Sequence, residues 1–171
     1  EIQRECHIND KPHIHKDKIK SFLNQLDYPL YYLDFETFST AIPKFDGLKP
    51  YSQVPFQYSL HVVKEEGAEA EHFEFLYDGS DDPRREFAEA LKDVLGDTGS
   101  IVVYNQSFEI SRIKELGALY PEFKNWSEDV ISRVIDLLIP FREYAYYNST
   151  LPRFTTIYTL SSTMQIICLI F

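Results

Sequence analysis

The chain has 171 residues, enough for one buried core, and a formal net charge of −10 from 17 Lys and Arg against 27 Asp and Glu. That balance excludes a broad basic surface of the kind nonspecific duplex binding needs. It does not exclude a metal enzyme, because acids that hold a divalent cation become attractive to phosphate.

Two cysteines near opposite ends, Cys6 and Cys168, indicate neither a zinc site nor a disulfide framework. With no secretory signal in view, the expected compartment is the cytoplasm. A first residue Glu1 rather than Met predicts a piece of a longer protein. Aromatic residues reach 15%, which suits a core and also a groove on which bases stack.

Residues 1–27 are polar. His7, His13 and His15 lie near Lys16, Lys18 and Lys20, a grouping that reads as metal-ligand chemistry or, more simply, as a solvated lead-in. Ile19, Phe22, Leu23 and Leu26 predict a short helix around 16–26. After Pro29, the run Leu-Tyr-Tyr-Leu-Asp-Phe-Glu-Thr-Phe at 30–38 predicts a central strand. Residues 39–56 form a long loop marked by Pro43, Gly47, Pro50 and Pro55. Its Phe45, Tyr51 and Phe56 either line a groove or pack the loop. Residues 57–64 and 71–77 read as a hairpin. Asp82-Pro83 opens a helix carrying Phe87, Leu91, Val94 and Leu95. Ile101-Val-Val-Tyr104 is a buried-type strand, and a second helix runs from about Ser107 to near Gly117. Pro121 and Trp126 sit in a connection, and 127–141 is a third helical or mixed segment. The order predicts an α/β fold with helices on a mixed sheet.

Asp34 and Glu36 stand two apart on the 30–38 strand, so both carboxylates leave one face. Paired acids beside Tyr31, Tyr32, Leu33, Phe35 and Phe38 repel each other unless a cation sits between them. Oxygen ligands alone suit Mg²⁺ or Mn²⁺. The plainer alternative is a solvent-facing strand side.

Asp34-Phe-Glu-Thr37 resembles the first motif of DEDD 3′→5′ exonucleases, and Asn105-Gln-Ser-Phe-Glu109 resembles their second, with Glu109 where Asp is usual. Residues 22–147 also resemble the bacterial DUF2779 family, in 28–37, Ala41-Ile-Pro43, Pro50-Tyr51, 55–61, Asn105 to Glu109 and Asp136-Leu-Leu138. The resemblance implies a ribonuclease H-like α/β domain at 28–147, a mixed sheet with helices on both faces, truncated at its C-terminal end. It implies two Mg²⁺ or Mn²⁺ ions held by Asp34, Glu36 and Glu109, and hydrolysis of single-stranded DNA or RNA. Thr37, Phe38, Asn105 and Phe108 become substrate-binding candidates, with core and turn roles as alternatives for Phe108 and Asn105. Asp136 is expected to support the ligands rather than to be one. A RecB-type nuclease region upstream is implied too, with residues 1–20 as its tail.

Two features depart from the pattern. The family's fourth acid, with its preceding general base, is not found after Glu143, and residues 149–171 contain no Asp or Glu. The segment 148–171 therefore reads as a truncated or frameshifted tail, a misplaced apolar strand or, least of all, a membrane anchor; no membrane partner is expected. The alternative function is a catalytically inactive nucleic-acid-binding or protein-interaction domain of a larger defence or repair protein.

Overall fold

The computed structural model describes residues 1–149. In chain order the elements are α1 (Ile2–Asn9), β1 (His13–Ile14), α2 (Lys16–Leu23), β2 (Leu30–Phe38), β3 (Val54–Val63), β4 (Glu71–Leu76), α3 (Arg84–Val94), β5 (Ile101–Val103), α4 (Ser107–Leu119), a 3-10 turn (Pro121–Phe123), α5 (Lys124–Ser132), β6 (Val134–Asp136), α6 (Ile139–Arg142) and β7 (Tyr146–Tyr147). They form two compact units, one of Leu26–Leu137 and one of Glu1–Gln25 with residues 138–149.

The larger unit is built on a five-stranded sheet in the order β4-β3-β2-β5-β6. β2 is central, antiparallel to β3 and parallel to β5, and β6 extends the parallel side. β2 takes that place because its first four residues are all buried, leaving no solvent face there. β3 instead alternates, with Tyr58, Leu60 and Val62 buried between less buried neighbours. The pairing of β2 with β3 slips between Glu36 and Thr37, a bulge at the end of β2 that leads into the 39–53 loop.

One face of the sheet carries the core. Tyr31, Leu33 and Phe35 of β2 cluster there with Tyr58, Leu60 and Val62, and with Ile101 and Val103 of β5. α3 adds Phe87, Ala88 and Leu91, α4 adds Ile113 and Leu116, and α5 adds Val130. Within this unit all three helices contribute to that cluster, and the mixed sheet with helices bears out the expected α/β class. α3 begins one residue later than Asp82-Pro83 suggests, with Pro83 rather than Asp82 at its N-cap, and the Asp82 carboxylate accepts the Arg84 N–H at 3.1 Å.

α4 runs on through Gly117 to Leu119, past the stop that glycine suggests. The glycine serves packing: a Cβ there would lie 2.0 Å from Ser127 Oγ and 2.8 Å from Ser127 Cβ on α5. Gly117→Ala gains helix propensity worth about 1 kcal/mol but drives two helices apart, at about 1–3 kcal/mol. The expected result is a lower melting temperature, part of which Ser127→Gly in the same chain restores.

The smaller unit changes the reading of residues 1–25 from a solvated lead-in to folded structure. β1 pairs antiparallel with β7, His13 opposite Tyr147 and Ile14 opposite Tyr146. The His15 side chain caps α2 by accepting the Lys18 N–H at 3.4 Å. α1 buries Cys6 and α2 buries Phe22. His7, His13 and His15 fall on α1, on β1 and at the start of α2, and no metal-holding group of three His, Cys, Asp or Glu occurs among the described residues. Among those residues, no helix is long and apolar enough to cross a membrane. The readings made for residues 150–171 lie outside the described residues.

Candidate functional site

Strands β2, β5 and β6 run parallel, so their carboxyl ends come together, the place where open α/β sheets hold ligands. Asp34 lies on β2 two residues beyond Tyr32, which pairs with Val102. Asp136 ends β6 opposite Val103, the last residue of β5. The chain then leaves β5 and turns at Asn105, whose φ of 68° is left-handed, a conformation Asn tolerates. That turn starts α4 and places Glu109 in its first turn.

Asn105 organises the corner. Its N–H donates to Asp136 Oδ1 at 2.9 Å, its side-chain oxygen accepts from the Ser107 hydroxyl at 3.1 Å, and its carbonyl accepts the Phe108 N–H at 3.2 Å. The side chain is exposed, as a turn-maker's is. Phe108 packs against the core cluster, with the Arg112 guanidinium 5.6 Å from its ring centre.

Glu109 is the unusual group. It is 2% exposed, and its Oε2 meets no hydrogen-bond partner. Burial pushes its pKa up to about 8, and the charges of Asp34 and Asp136 push in the same direction against one backbone hydrogen bond. Asp34, half-buried, is also raised, first by burial and then by Glu36, while the Phe35 backbone pulls it back. Asp34 and Asp136 therefore both act on Glu109 here. Glu36 is exposed and acts on Asp34. The sequence reading grouped Asp34, Glu36 and Glu109 and left Asp136 in support; the structure brings Asp136, 3% exposed, into the same electrostatic neighbourhood. The missed signal was the strand: Asp136 belongs to a three-residue parallel strand inside a segment that reads as helical.

As the side chains stand, no three acids among the described residues close on a common point at metal-binding distance. The donor set is nonetheless all carboxylate, and the orphaned Oε2 of Glu109 is a buried acceptor that a hard cation would satisfy. Of the other candidates, the Thr37 hydroxyl donates to Gln53 Oε1 of the 39–53 loop. Phe38 packs edge-on to Phe45 at 6.3 Å and tilted against Phe56 at 6.0 Å, with Lys44 Nζ 5.5 Å from its ring centre. Phe45 of that loop and Phe56 of β3 thus pack on Phe38, while Tyr51 stands 69% exposed.

The model of a domain of unknown function, DUF2779, matches residues 31–155. The chain belongs to the DUF2779 family. Its matched region opens inside β2 and takes in Asp34, Glu36, Asn105, Glu109 and Asp136. Curated relatives include uncharacterized protein MG366 of Mycoplasma genitalium, 30% identical over 130 residues, and its homolog in Mycoplasma pneumoniae, 31% identical over 132 residues. Each alignment covers 71% of this chain and 19% of the relative, so the chain spans about a fifth of the length of the proteins it matches. No solved structure matches the chain.

Proposed function

We propose that this DUF2779 domain is a metal-dependent 3′→5′ exonuclease-type core of ribonuclease H-like kind, acting on single-stranded nucleic acid. The observation that carries the reading is Glu109: a buried carboxyl with an unpartnered oxygen, facing Asp34 and Asp136 at the carboxyl ends of parallel strands. Acids crowded in this way cost stability unless a cation joins them. The sheet order supports it as well, with an antiparallel meander β2-β3-β4 on one side of the acid-bearing strand and two parallel strands on the other.

Asp34, Glu36 and Glu109 would hold Mg²⁺ or Mn²⁺, with Asp136 holding the corner through the Asn105 N–H. Bound ions supply Lewis-acid stabilisation of the phosphate and a water acidic enough to attack it. The protein's share is to leave the Glu109 Oε2 without a hydrogen-bond partner and to hold the first turn of α4 near the strand ends. A second reading, a nucleic-acid-binding or protein-interaction domain without turnover, is favoured by the side chains as they stand, since no group of three acids lies at metal-binding distance among the described residues.

The test is melting of the purified chain in EDTA and then in Mn²⁺, beside Asp34→Ala. A ligand that binds only the folded state raises its stability, by about 2.7 kcal/mol at a hundred times Kd. The expected result is a Mn²⁺-dependent rise that Asp34→Ala abolishes, with release of nucleotides from 5′-labelled single strands. No rise in a folded chain would sink the metal reading, and a rise with binding but no release would select the second one.

A further inference from the structure

The hairpin carries a second group of ligand-type side chains, well separated in sequence from the acids. β3 and β4 pair so that His61 faces His72 directly across the strands. The two rings stack with centroids 4.4 Å apart and planes 24° from parallel. His72 Nε2 lies 2.9 Å from Ser59 Oγ. His61 is half-buried, and its Nδ1 meets no hydrogen-bond partner.

We propose that His61 and His72 form a two-imidazole site for a borderline divalent cation of the Ni²⁺ or Zn²⁺ class, chemically distinct from the carboxylate corner. Directly opposed residues on antiparallel strands have Cβ atoms about 4.5–5.5 Å apart, within reach of one ion. The last torsion of a histidine is broad, so turning the stacked rings until a nitrogen of each converges costs little. Imidazole selects Ni²⁺, Zn²⁺ and Cu²⁺ over the hard ions that carboxylates prefer. With two protein ligands, the remaining positions belong to water, in keeping with the absence of a third ligand in range among the described residues. Burial lowers the His61 pKa first and His72 lowers it further, which favours the neutral ring that binds metal. The groups around the pair are Tyr32 across from His61 on β2 and, beside His72 on β4, Glu71 and Glu74. An ion held here would tie the edge strand β4 to β3. The proposal does not depend on the exonuclease reading.

The experiment is a calorimetric titration of the full chain with Ni²⁺ at pH 7.5, in excess Mg²⁺ to keep the hard-cation site from competing. His61→Gln, His72→Gln, Asp34→Asn and a His13→Gln/His15→Gln double variant are run beside it, each shown folded by circular dichroism. Losing only a partner that orients a metal ligand costs about 10–100-fold in affinity, so losing a ligand should cost at least that. The expected result is such a loss in His61→Gln and in His72→Gln, with Asp34→Asn and the double variant unchanged. Affinity should also weaken as pH falls and protons compete for the rings. No Ni²⁺ binding, or binding that survives in both hairpin variants, overturns the proposal. So does loss of binding in the His13→Gln/His15→Gln variant with the hairpin intact.

Discussion

In EDTA at pH 8, Glu109→Gln melts well above the unsubstituted chain, and at pH 5 the two nearly coincide. The sign follows from linkage. Glu109 has an ordinary pKa of 4.5 in the unfolded chain and one of about 8 when folded. The folded state therefore keeps its proton over a range where the unfolded state gives it up. The stability this group contributes is fully present below pH 4.5 and drains away as pH rises towards 8. Each pH unit in that window costs about 1.4 kcal/mol, so the whole descent amounts to a few kcal/mol. Gln fills the same volume and never ionises, so the substituted chain escapes the descent. At about 2–4 °C per kcal/mol for a chain of this size, the gap at pH 8 is several degrees. If the proposed metal site is correct, Mn²⁺ should reverse the order, by meeting in the parent chain the charge that burial penalises where Gln offers one neutral oxygen in place of a carboxylate. A variant less stable than the parent in EDTA at pH 8 would show that Glu109 has a partner in solution, and the charge argument for the site would fall.

Phe87→Ala has the largest expected effect on folding. Phe87 is fully buried and touches three rings: Phe35 at 5.1 Å, Tyr58 at 5.7 Å and Phe75 at 6.0 Å. These come from β2, β3 and β4, so one side chain on α3 joins three strands. Truncation removes the transfer free energy of the ring and leaves a cavity that edge-on neighbours cannot fill, a loss of about 3–5 kcal/mol. The expected fall in melting temperature is on the order of 10 °C. Phe87→Leu, which keeps most of the volume, should cost clearly less. Because Phe87 belongs to the core face and Asp34 to the other, the rise with Mn²⁺ should survive in Phe87→Leu. A fall of only a degree or two in Phe87→Ala would mean that the α3 face is loosely packed.

Much of this was legible locally. The strand at 30–38 was read with its true bounds, because aromatic and β-branched residues in an unbroken run have few other homes. Alternation then put Asp34 and Glu36 on one face. It did not say that Asp34 would be half-buried and Glu36 exposed, because that depends on where the partner strand stops: β5 pairs with β2 only at Tyr31 and Tyr32. Glu109 was singled out through the resemblance of Asn105 to Glu109 to a family motif, but an acid in a first helical turn, where the dipole favours one, gives no local sign of being buried. Its burial comes from the turn at Asn105 and from β6, which is too short to carry a period. α1 was missed for a similar reason, since its sequence buries only Cys6 and shows no apolar stripe. The pairing of β1 with β7 joins residues 134 positions apart, from His13 to Tyr147, and nothing in either dipeptide announces it.

That pairing has a consequence for modularity. At His13 and Tyr147 the chain enters and leaves on adjacent strands, which lie about 4.8 Å apart. A module whose two doorways stand side by side can be set into a surface loop of another domain without stretching its host. Side-by-side ends of this kind let a stretch be carried within a longer chain, and the aligned stretch is about a fifth of the length of its curated relatives.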